Sequence, residues 1–367
     1  MPAMIGNGVA PGFYNLEDRM SDTLQSFGYG NGWNLLQTSA QIHTKTINEM
    51  FRTSVDRVTW AKNRIRVAGG RKPQHLGQND NPKPQRSKIT YEVGLPLRII
   101  GDSLGDNMWS RAETTLADLN ADYMEIQMGM DQWMFDNFLS ALFTNSSWDY
   151  EDDNDKIGTV KVMPLANGDN QLYPNTTGGT DQADHFLAQP DAIDDDHNPF
   201  AGAEGIYSTL KAHPINAGAT IVVKVAKNLV ESIKQLGGFK EKAELYTMYG
   251  ANTDLASSII DAFVGWGNEA VGVVDNCVIV RADKLPDNYM VAEAIGGTVK
   301  AVAMREPSNA QLRGLEVKPP FRVSSNLEQV DFYLRCGFGV QNRVGAVVML
   351  IGAESYTPPI DFNGPVV

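Results

Sequence analysis

The chain has 367 residues, of which 42% are hydrophobic and 20% charged, so its composition is that of a globular protein with a sizeable core. Its formal net charge of −13 argues against nonspecific nucleic-acid binding by the whole surface. No run approaches the roughly 20 apolar residues that span a bilayer, and the first residues lack the pattern of a secretory signal. Two distant cysteines, Cys277 and Cys336, argue against a disulfide framework. We therefore expect an intracellular site of synthesis.

The charge is distributed unevenly along the chain. Residues 52–88 contain ten Lys or Arg residues and two Asp residues, a net charge of +8, which leaves −21 for the remainder. A basic segment on an acidic body indicates contact either with a polyanion or with the acidic body of a neighbouring copy.

The first hundred residues predict an arm, a helix and a hairpin. Residues 1–33 are rich in Gly, Asn and aromatic residues and predict an extended arm, and the apolar spacing of residues 35–51 predicts a helix. Two strand-like runs, 57–67 and 87–100, flank a stretch rich in Gly, Pro and Asn, which predicts a hairpin with a long tip. Because arginines alternate with apolar residues on its strands, the hairpin would bury little against its own body. It is expected to find a partner elsewhere, the alternative being a mobile surface loop.

The strongest local pattern predicts a long helix over residues 110–143. Ser110 and Glu113 have the spacing of a capping box. At 1.5 Å per residue the helix would be about 50 Å long and would lie across a domain. Its apolar positions recur every three or four residues: Leu116, Leu119, Tyr123, Ile126, Met130, Met134, Phe138 and Leu142.

The rest of the chain mixes strands and helices irregularly, which favours the α+β class. Residues 166–200 are expected to form an acidic loop. The predicted helices span 206–212, 226–236 and 252–263. The predicted strands span 157–165, 219–225, 272–280, 289–295 and 298–304, with a closing pair at 326–341 and 344–352.

One motif suggests an enzyme. Gly101–Gly105 fits the G-x-S-x-G pattern of a nucleophile elbow and begins with GDSL, as in the GDSL esterases, with Ser103 as the nucleophile. Gly77–Asp80 and Asp194–His197 resemble two further blocks of that family, but their order along the chain differs from the family's. The favoured interpretation is a turn that leads into the long helix, and a GDSL-like esterase is the alternative.

Other searches for chemistry predict no catalytic, cofactor or metal site. The sequence has no phosphate-binding loop, no H-E-x-x-H and no C-x-x-C. The acidic segments 149–155 and 191–196 leave a divalent ion open, although solvated acidic loops are favoured.

The order of the elements resembles the major capsid proteins of tailed bacteriophages, which have the HK97-type fold. In that family an N-terminal arm, an extended hairpin called the E-loop and a long spine helix precede an α+β body. Gly272–Val280 with Ala282–Pro286 resembles a late strand and turn of the family's A-domain, and Phe332–Gly352 resembles its closing P-domain strand. The late apolar run 344–351 would then be covered on both faces.

The resemblance implies a domain organisation. It has an N-terminal arm with a helix (1–54), an E-loop hairpin (55–102), a P-domain with the spine helix (103–214), an A-domain (215–315), and returning P-domain strands with a C-terminal tail (316–367).

The resemblance also implies a structural protein and no enzyme. Copies would assemble as pentamers and hexamers into the icosahedral capsid of a virion, after synthesis in the cytoplasm of a bacterial host. Implied partners are a separate scaffolding protein, a portal, possible decoration proteins, and double-stranded DNA enclosed without sequence-specific binding; no membrane is implied. Subunits are expected to meet through Trp60, Arg64, Arg66, Arg71, Lys72, Lys83, Arg86 and Lys88 of the hairpin and Phe13, Tyr14, Phe27, Tyr29 and Trp33 of the arm.

Overall fold

The structure is a computed structural model. It describes residues 19–66, 74–83, 90–107, 110–152, 156–242, 263–319, 321–322 and 327–365. The chain divides into two units: unit 1 comprises residues 1–50, 97–137 and 305–337, and unit 2 comprises residues 51–96, 138–304 and 338–367. Helices and strands are mixed in the way that the α+β class predicts.

The helices are α1 (Leu24–Phe27), α2 (Tyr29–Phe51), α3 (Ser110–Glu113), α4 (Leu116–Phe143), α5 (Ile206–Lys211) and α6 (Val230–Lys234). The first ten strands are β1 (Val55–Val58), β2 (Lys62–Arg66), β3 (Thr90–Gly94), β4 (Arg98–Asn107), β5 (Trp148–Asp152), β6 (Gly158–Val162), β7 (Tyr173–Pro174), β8 (Thr180–Asp181), β9 (Phe186–Gln189) and β10 (Thr220–Val225). The others are β11 (Lys240–Glu241), β12 (Glu269–Val274), β13 (Cys277–Arg281), β14 (Tyr289–Ile295), β15 (Val302–Arg305), β16 (Leu315–Val317), β17 (Phe321–Arg322), β18 (Leu327–Val340) and β19 (Ala346–Ile351). None of the helices formed by these described residues is long and apolar enough to cross a membrane.

In unit 1 the strand β18 is the centre of the sheet. It pairs antiparallel with β4 over ten residues, from Leu327 opposite Asn107 to Cys336 opposite Arg98. The short strands β16 and β17 also pair with β18. Phe332 is fully buried, and its ring packs against Tyr123 of α4 with 5.6 Å between ring centroids. The contact places the predicted long helix against the sheet that the late strand completes.

The long helix begins later than the sequence predicts, because the helical hydrogen bonding is interrupted between α3 and α4. The capping box is formed by Thr115 and Asp118: the Asp118 amide donates to Thr115 Oγ1 at 3.2 Å, and the Thr115 amide donates to Asp118 Oδ2 at 3.0 Å. The Thr115 hydroxyl, which donates to Asp118 Oδ2 at 2.7 Å, and the Thr115 amide together lower the pKa of Asp118. The amide of Leu116 donates to the carbonyl of Asp22 at 3.0 Å, so it does not form the hydrogen bond that would continue α3 into α4. A helix thus begins at Ser110, as α3, but the long helix itself begins after Thr115, and all eight predicted apolar positions are buried.

The N-terminal helix is longer than predicted, since α2 starts at Tyr29 within the segment expected to be an extended arm. Gly28, with φ of 94°, forms the bend between α1 and α2, a conformation that glycine adopts without strain. Leu24 and Phe27 of α1 are buried. Packing of this kind offsets the cost of about 1 kcal/mol for each glycine in the first turns of α2.

In unit 2 a seven-stranded sheet has the order β11-β12-β13-β10-β14-β19-β9. The pairs β10–β13 and β19–β9 are parallel, and the other pairs of this sheet are antiparallel. One face of the sheet packs against α5 and α6 in a core that includes Val223, Met290 and Val347. The apolar run at the end of the chain is buried throughout β19, as predicted for a strand covered on both faces.

Several predicted elements of unit 2 differ in the structure. The predicted strand 272–280 is a hairpin, because Asp275 and Asn276 adopt positive φ and form a tight turn. Strand β9 lies within the predicted loop 166–200, and the predicted helix 226–236 is a 3-10 turn followed by α6. The two closing strands do not form a pair with each other: β19 pairs with β14 and β9. Most of the predicted helix 252–263 lies outside the described residues.

Candidate functional site

The predicted hairpin is present, and its strands carry exposed charges. β2 and β3 pair antiparallel as an isolated two-stranded sheet, with Arg64 opposite Glu92. Lys62 Nζ lies 2.7 Å from Glu92 Oε1, and both side chains are more than 40% exposed. The guanidinium of Arg64 donates to Thr90 Oγ1 at 3.0 and 3.2 Å. Exposed pairs of this kind contribute about 0–1 kcal/mol each, so they can exchange partners at little cost.

The described part of the hairpin tip, residues 74–83, is closed by one side chain. Gln74 Nε2 donates to the carbonyl of Lys83 at 3.0 Å, and Gln74 Oε1 accepts from the Lys83 amide at 2.9 Å. Within the loop the Gly77 amide donates to Asp80 Oδ2 at 3.0 Å. The exposed Lys83 side chain therefore projects from a locally ordered turn.

The base of the hairpin is tightly packed in unit 2. The Leu95 amide donates to the Ala61 carbonyl at 2.8 Å, and Val93 and Leu95 are fully buried. Gly94 lies directly against β6, where a Cβ atom would clash with Val160 and lie 2.6 Å from the carbonyl oxygen of Lys161. Only glycine permits this approach of the two backbones.

A buried aromatic and cationic cluster also holds strand β3. The Tyr91 ring packs edge-on against Tyr173, with 6.0 Å between ring centroids, and the Arg343 guanidinium lies 5.8 Å from the Tyr173 ring. Arg343 is fully buried and bonds to the carbonyls of Pro164 and Leu165 and to Asp169. Burial raises the pKa of Tyr91, and the nearby Arg343 opposes that rise.

A second buried cluster holds the segment that enters the hairpin. Lys224 of β10 forms an ion pair with Glu293 of β14, and the two side chains are 0% and 3% exposed. Ser54 Oγ, one residue before β1, donates to Glu293 Oε2 at 2.8 Å, and the Trp266 ring lies 4.6 Å from Lys224 Nζ. Burial lowers the pKa of Lys224, and the charge of Glu293 opposes that effect. Asp56 adds a further anchor, since Lys300 Nζ lies 3.5 Å from its Oδ1.

The structure describes only part of the predicted contact set. In the hairpin, Trp60 is half-buried and Arg64 and Lys83 are exposed. Arg66 lies in β2. The side chains of Arg66 and Tyr29 are not described, and six residues lie outside the described part: Arg71, Lys72, Arg86, Lys88, Phe13 and Tyr14.

The two described arm residues have partners in their own chain. Phe27 is 5% exposed, with the Arg19 guanidinium 4.9 Å from its ring centre. Trp33 Nε1 donates to the carbonyl of Lys318 at 3.4 Å. Contact of the hairpin and arm residues with a neighbouring copy stays a prediction.

The residues that anchor the hairpin were not among those predicted from the sequence. Lys224 lies within the run of β-branched residues of β10, and Arg343 directly precedes the closing apolar run. A cation within an apolar run is the signal that was available, because a charge in a buried strand requires a partner.

The esterase motif forms no nucleophile elbow. Gly101–Gly105 lies inside the extended strand β4 and is neither the strand-to-helix turn that an elbow needs nor the turn predicted as its alternative. Ser103 is exposed and lies opposite Asp331 of β18.

In the part of the acidic segments that the structure describes, no cluster is suited to a metal. Asp149–Asp152 belong to β5, and residues 153–155 lie outside the described part. His197 bonds to Asp194 at 2.9 Å and lies 3.5 Å from Asp191, with all three side chains exposed. Among the described residues no group of three or more His, Cys, Asp or Glu side chains has the arrangement of a metal site.

Comparisons with known proteins give matches only among solved structures. No family model and no curated protein matches the chain. A structure from Mycobacterium phage Patience is 18% identical, with a TM-score of 0.67, and the match covers 97% of this chain and 98% of that chain. The mature capsid of bacteriophage PhiM1 is 11% identical (TM-score 0.48; 82% and 86% covered), and the capsid of Ralstonia phage GP4 is 13% identical (TM-score 0.46; 84% and 87% covered).

The match to the Mycobacterium phage chain carries the conclusion on the fold, because it extends over nearly the full length of both chains. The chain therefore has the HK97-type α+β fold that the order of its sequence elements predicts.

Proposed function

We propose that this chain is a shell-forming protein of a tailed bacteriophage. Copies assemble as pentamers and hexamers into an icosahedral capsid that encloses the phage genome. The observation that carries the proposal is the exposed cationic hairpin on a chain with the HK97-type fold. A hairpin that buries so little of its charged surface within its own chain is suited to contact a neighbour.

The charge distribution supports contact between copies. Residues 52–88, which include strand β2 and the tip of the hairpin, carry +8, and the remainder of the chain carries −21, so the hairpin of one copy is attracted to the body of the next. A contact between two different surfaces is heterologous and closes into a ring when the rotation between copies permits it. Each exposed ion pair contributes less than about 1 kcal/mol, so misplaced subunits can dissociate while a complete shell is stabilised by many contacts.

The anchored base supports the same proposal. Gly94, Tyr91 and Ser54 fix the two ends of the hairpin in unit 2. A fixed base limits the entropy lost when the hairpin binds a neighbour, which favours assembly.

The proposal extends to partners and location. A separate scaffolding protein and a portal act in assembly, decoration proteins can bind the finished shell, and double-stranded DNA is enclosed without sequence-specific contacts. Synthesis takes place in the bacterial cytoplasm, and the final location is the virion. The chain acts as a structural protein without a cofactor.

Charge reversal in the hairpin tests the proposal. The purified chain and the variant Arg64→Glu/Lys83→Glu are compared by negative-stain electron microscopy and size-exclusion chromatography, with a scaffolding protein co-expressed where the chain alone stays monomeric. Lys45→Glu, at an exposed position of α2, is the matched control. Wild type and the control should form shells or rings, and the hairpin variant should remain in small species with an unchanged circular dichroism spectrum. Equal assembly of all three would contradict a role of the hairpin, and absence of any assembly by wild type with its scaffold would contradict the shell function.

A further inference from the structure

A stripe of buried polar side chains lies between α2 and α4 in unit 1. We call it the polar seam and define it as Ser39 and His43 of α2 with Tyr123, Gln127 and Asp131 of α4. All five residues are at most 4% exposed. Their spacing of four residues places each set on one face of its helix. A helix pair in a protein core normally meets through apolar side chains, so this stripe requires an explanation.

Only one hydrogen bond joins the two helices within the polar seam. His43 Nε2 lies 2.8 Å from Asp131 Oδ1. The other polar atoms have no partner among the described residues: Ser39 Oγ, His43 Nδ1, Tyr123 Oη, and both Oε1 and Nε2 of Gln127. The Tyr123 hydroxyl is close enough to Ser39 and Gln127 for them to lower its pKa against the larger effect of burial, which raises it. It makes no hydrogen bond of normal geometry with either.

Polar atoms that converge without meeting indicate a bridging ligand, because a buried group without a partner costs about 1–3 kcal/mol. The chemistry of these atoms restricts what that ligand is. The Gln127 amide needs both a donor and an acceptor, so a cation or an anion alone would leave one of its atoms unpaired. Exchange of its oxygen and nitrogen leaves the same need. A small neutral molecule that both donates and accepts is required.

We propose that the polar seam is a buried hydration site, in which at least one ordered water bridges Tyr123, Ser39 and Gln127. Buried waters in proteins typically make about three hydrogen bonds to groups that lack other partners, which is the number these three side chains offer. His43 Nδ1 also has no partner among the described residues, while Nε2 of the same ring makes the bond to Asp131.

The hydration site would fix the alignment of the two helices. The Tyr123 ring is held by Phe332 of β18, so its hydroxyl has little freedom to turn toward another partner. A slip of α2 by one turn would separate His43 from Asp131 and leave a charged carboxylate buried, a change that is strongly unfavourable. The proposal concerns packing within unit 1 and is independent of the proposed function.

The first test is an experimental structure of the full chain, alone or assembled, at a resolution that shows ordered water. We expect density within about 2.7–3.2 Å of Tyr123 Oη and of at least one of Ser39 Oγ and the Gln127 amide. A map that shows other buried waters but none in the polar seam would overturn the proposal.

The second test uses the sign of a stability change. Removal of a hydroxyl that bonds to water destabilises the fold, whereas removal of an unsatisfied buried hydroxyl stabilises it. Tyr123→Phe and Ser39→Ala should therefore each lower the Tm. Tyr333→Phe is the control, since it removes a half-exposed hydroxyl of unit 1 that bonds to Asp331. A Tm that is unchanged or raised in both seam variants would contradict the hydration site.

Discussion

Two Lys–Glu pairs in unit 2 have the same chemistry and opposite environments. Lys62 and Glu92 form an ion pair diagonally across the two hairpin strands and are 43% and 48% exposed. Lys224 and Glu293 lie on the seven-stranded sheet and are 0% and 3% exposed. In water the attraction of a pair is weak and screened by salt, whereas in the interior each ion depends on its partner because neither is solvated.

This difference suits the two parts of the hairpin to different tasks. Both ions of the buried pair bond to the hydroxyl of Ser54: Lys224 donates to it, and it donates to Glu293. These bonds fix the segment that enters the hairpin. The exposed pair holds the hairpin strands together so weakly that either ion can turn to another partner. The base of the hairpin is thus fixed by buried contacts, whereas the exposed ions on its strands can exchange partners.

The largest effect should come from Glu293→Leu, which removes one ion of the buried pair. Lys224 would be left in the core without its counter-charge, and the free energy of unfolding should fall by about 3–5 kcal/mol. Denaturant unfolding of the purified chain measures this change. Glu92→Leu in the exposed pair is the matched control and should change the free energy by less than about 1 kcal/mol.

A double variant separates the effect of the two charges on stability from the effect of packing. In Lys224→Met/Glu293→Leu neither ion remains, so most of the stability lost in the single variant should return. If the double variant is as unstable as Glu293→Leu, packing around Trp266 and Ser54 contributes more to stability than the charges do, and burial of charge is not what distinguishes the two pairs.

The elements that could be predicted from sequence are those set by local spacing. The eight apolar positions of α4 predicted from helical period are all buried, and the apolar run of β19 is a covered strand. The start of α4 was missed because distant backbone bonds from residues 22–24 fix the break near Thr115. Strand β9 and the antiparallel partners of β18 were missed for the same reason, since strand pairing depends on residues far apart in the chain.

The same distinction between local patterns and distant strand pairing applies to the residues of the candidate site. The excess of Lys and Arg in the hairpin is visible in the composition of residues 52–88. The anchors at Lys224, Glu293 and Arg343 depend on which strands become neighbours. Sequence patterns therefore indicated the exchangeable surface and missed the fixed base.

A smaller effect is expected from acid, through a buried group that has no counter-ion. His185 is fully buried, with Nδ1 2.6 Å from the Ala346 carbonyl and Nε2 3.2 Å from Nε2 of His213. Burial lowers the pKa of His185 from 6.5 to about 3. Between pH 6.5 and pH 3 the imidazole is therefore protonated in the unfolded chain and neutral in the folded chain. The free energy of unfolding is largest above pH 6.5 and falls as the pH drops from 6.5 toward 3.

At pH 5 this single group should favour unfolding by about 2 kcal/mol. The Tm of wild type and of His185→Asn is measured from pH 7.5 to pH 4.5. The variant should start from a lower Tm, because it loses an imidazole from the core, and should lose less of it on acidification. His75→Asn in the exposed tip controls for the loss of an imidazole elsewhere. Parallel curves for wild type and His185→Asn would show that the acid sensitivity arises at other groups, among them His213, whose pKa burial also lowers.

The smallest change in stability, and the sharpest test of the exposed pair, comes from neutralising its two ions separately. Lys62→Gln and Glu92→Gln should each change the free energy of unfolding by less than about 1 kcal/mol, because each breaks the same exposed contact.

If the hairpin cations bind the acidic body of a neighbouring copy, the two variants should differ in assembly. Lys62→Gln removes a cation from the contact and should raise the protein concentration needed for assembly, whereas Glu92→Gln frees Lys62 and should lower it. Light scattering at low and at high salt measures both, and the difference should shrink as salt screens the charges. Equal assembly of the two variants at low salt would mean that Lys62 and Glu92 serve only each other, and that the exposed pair is a strand contact without a role between copies.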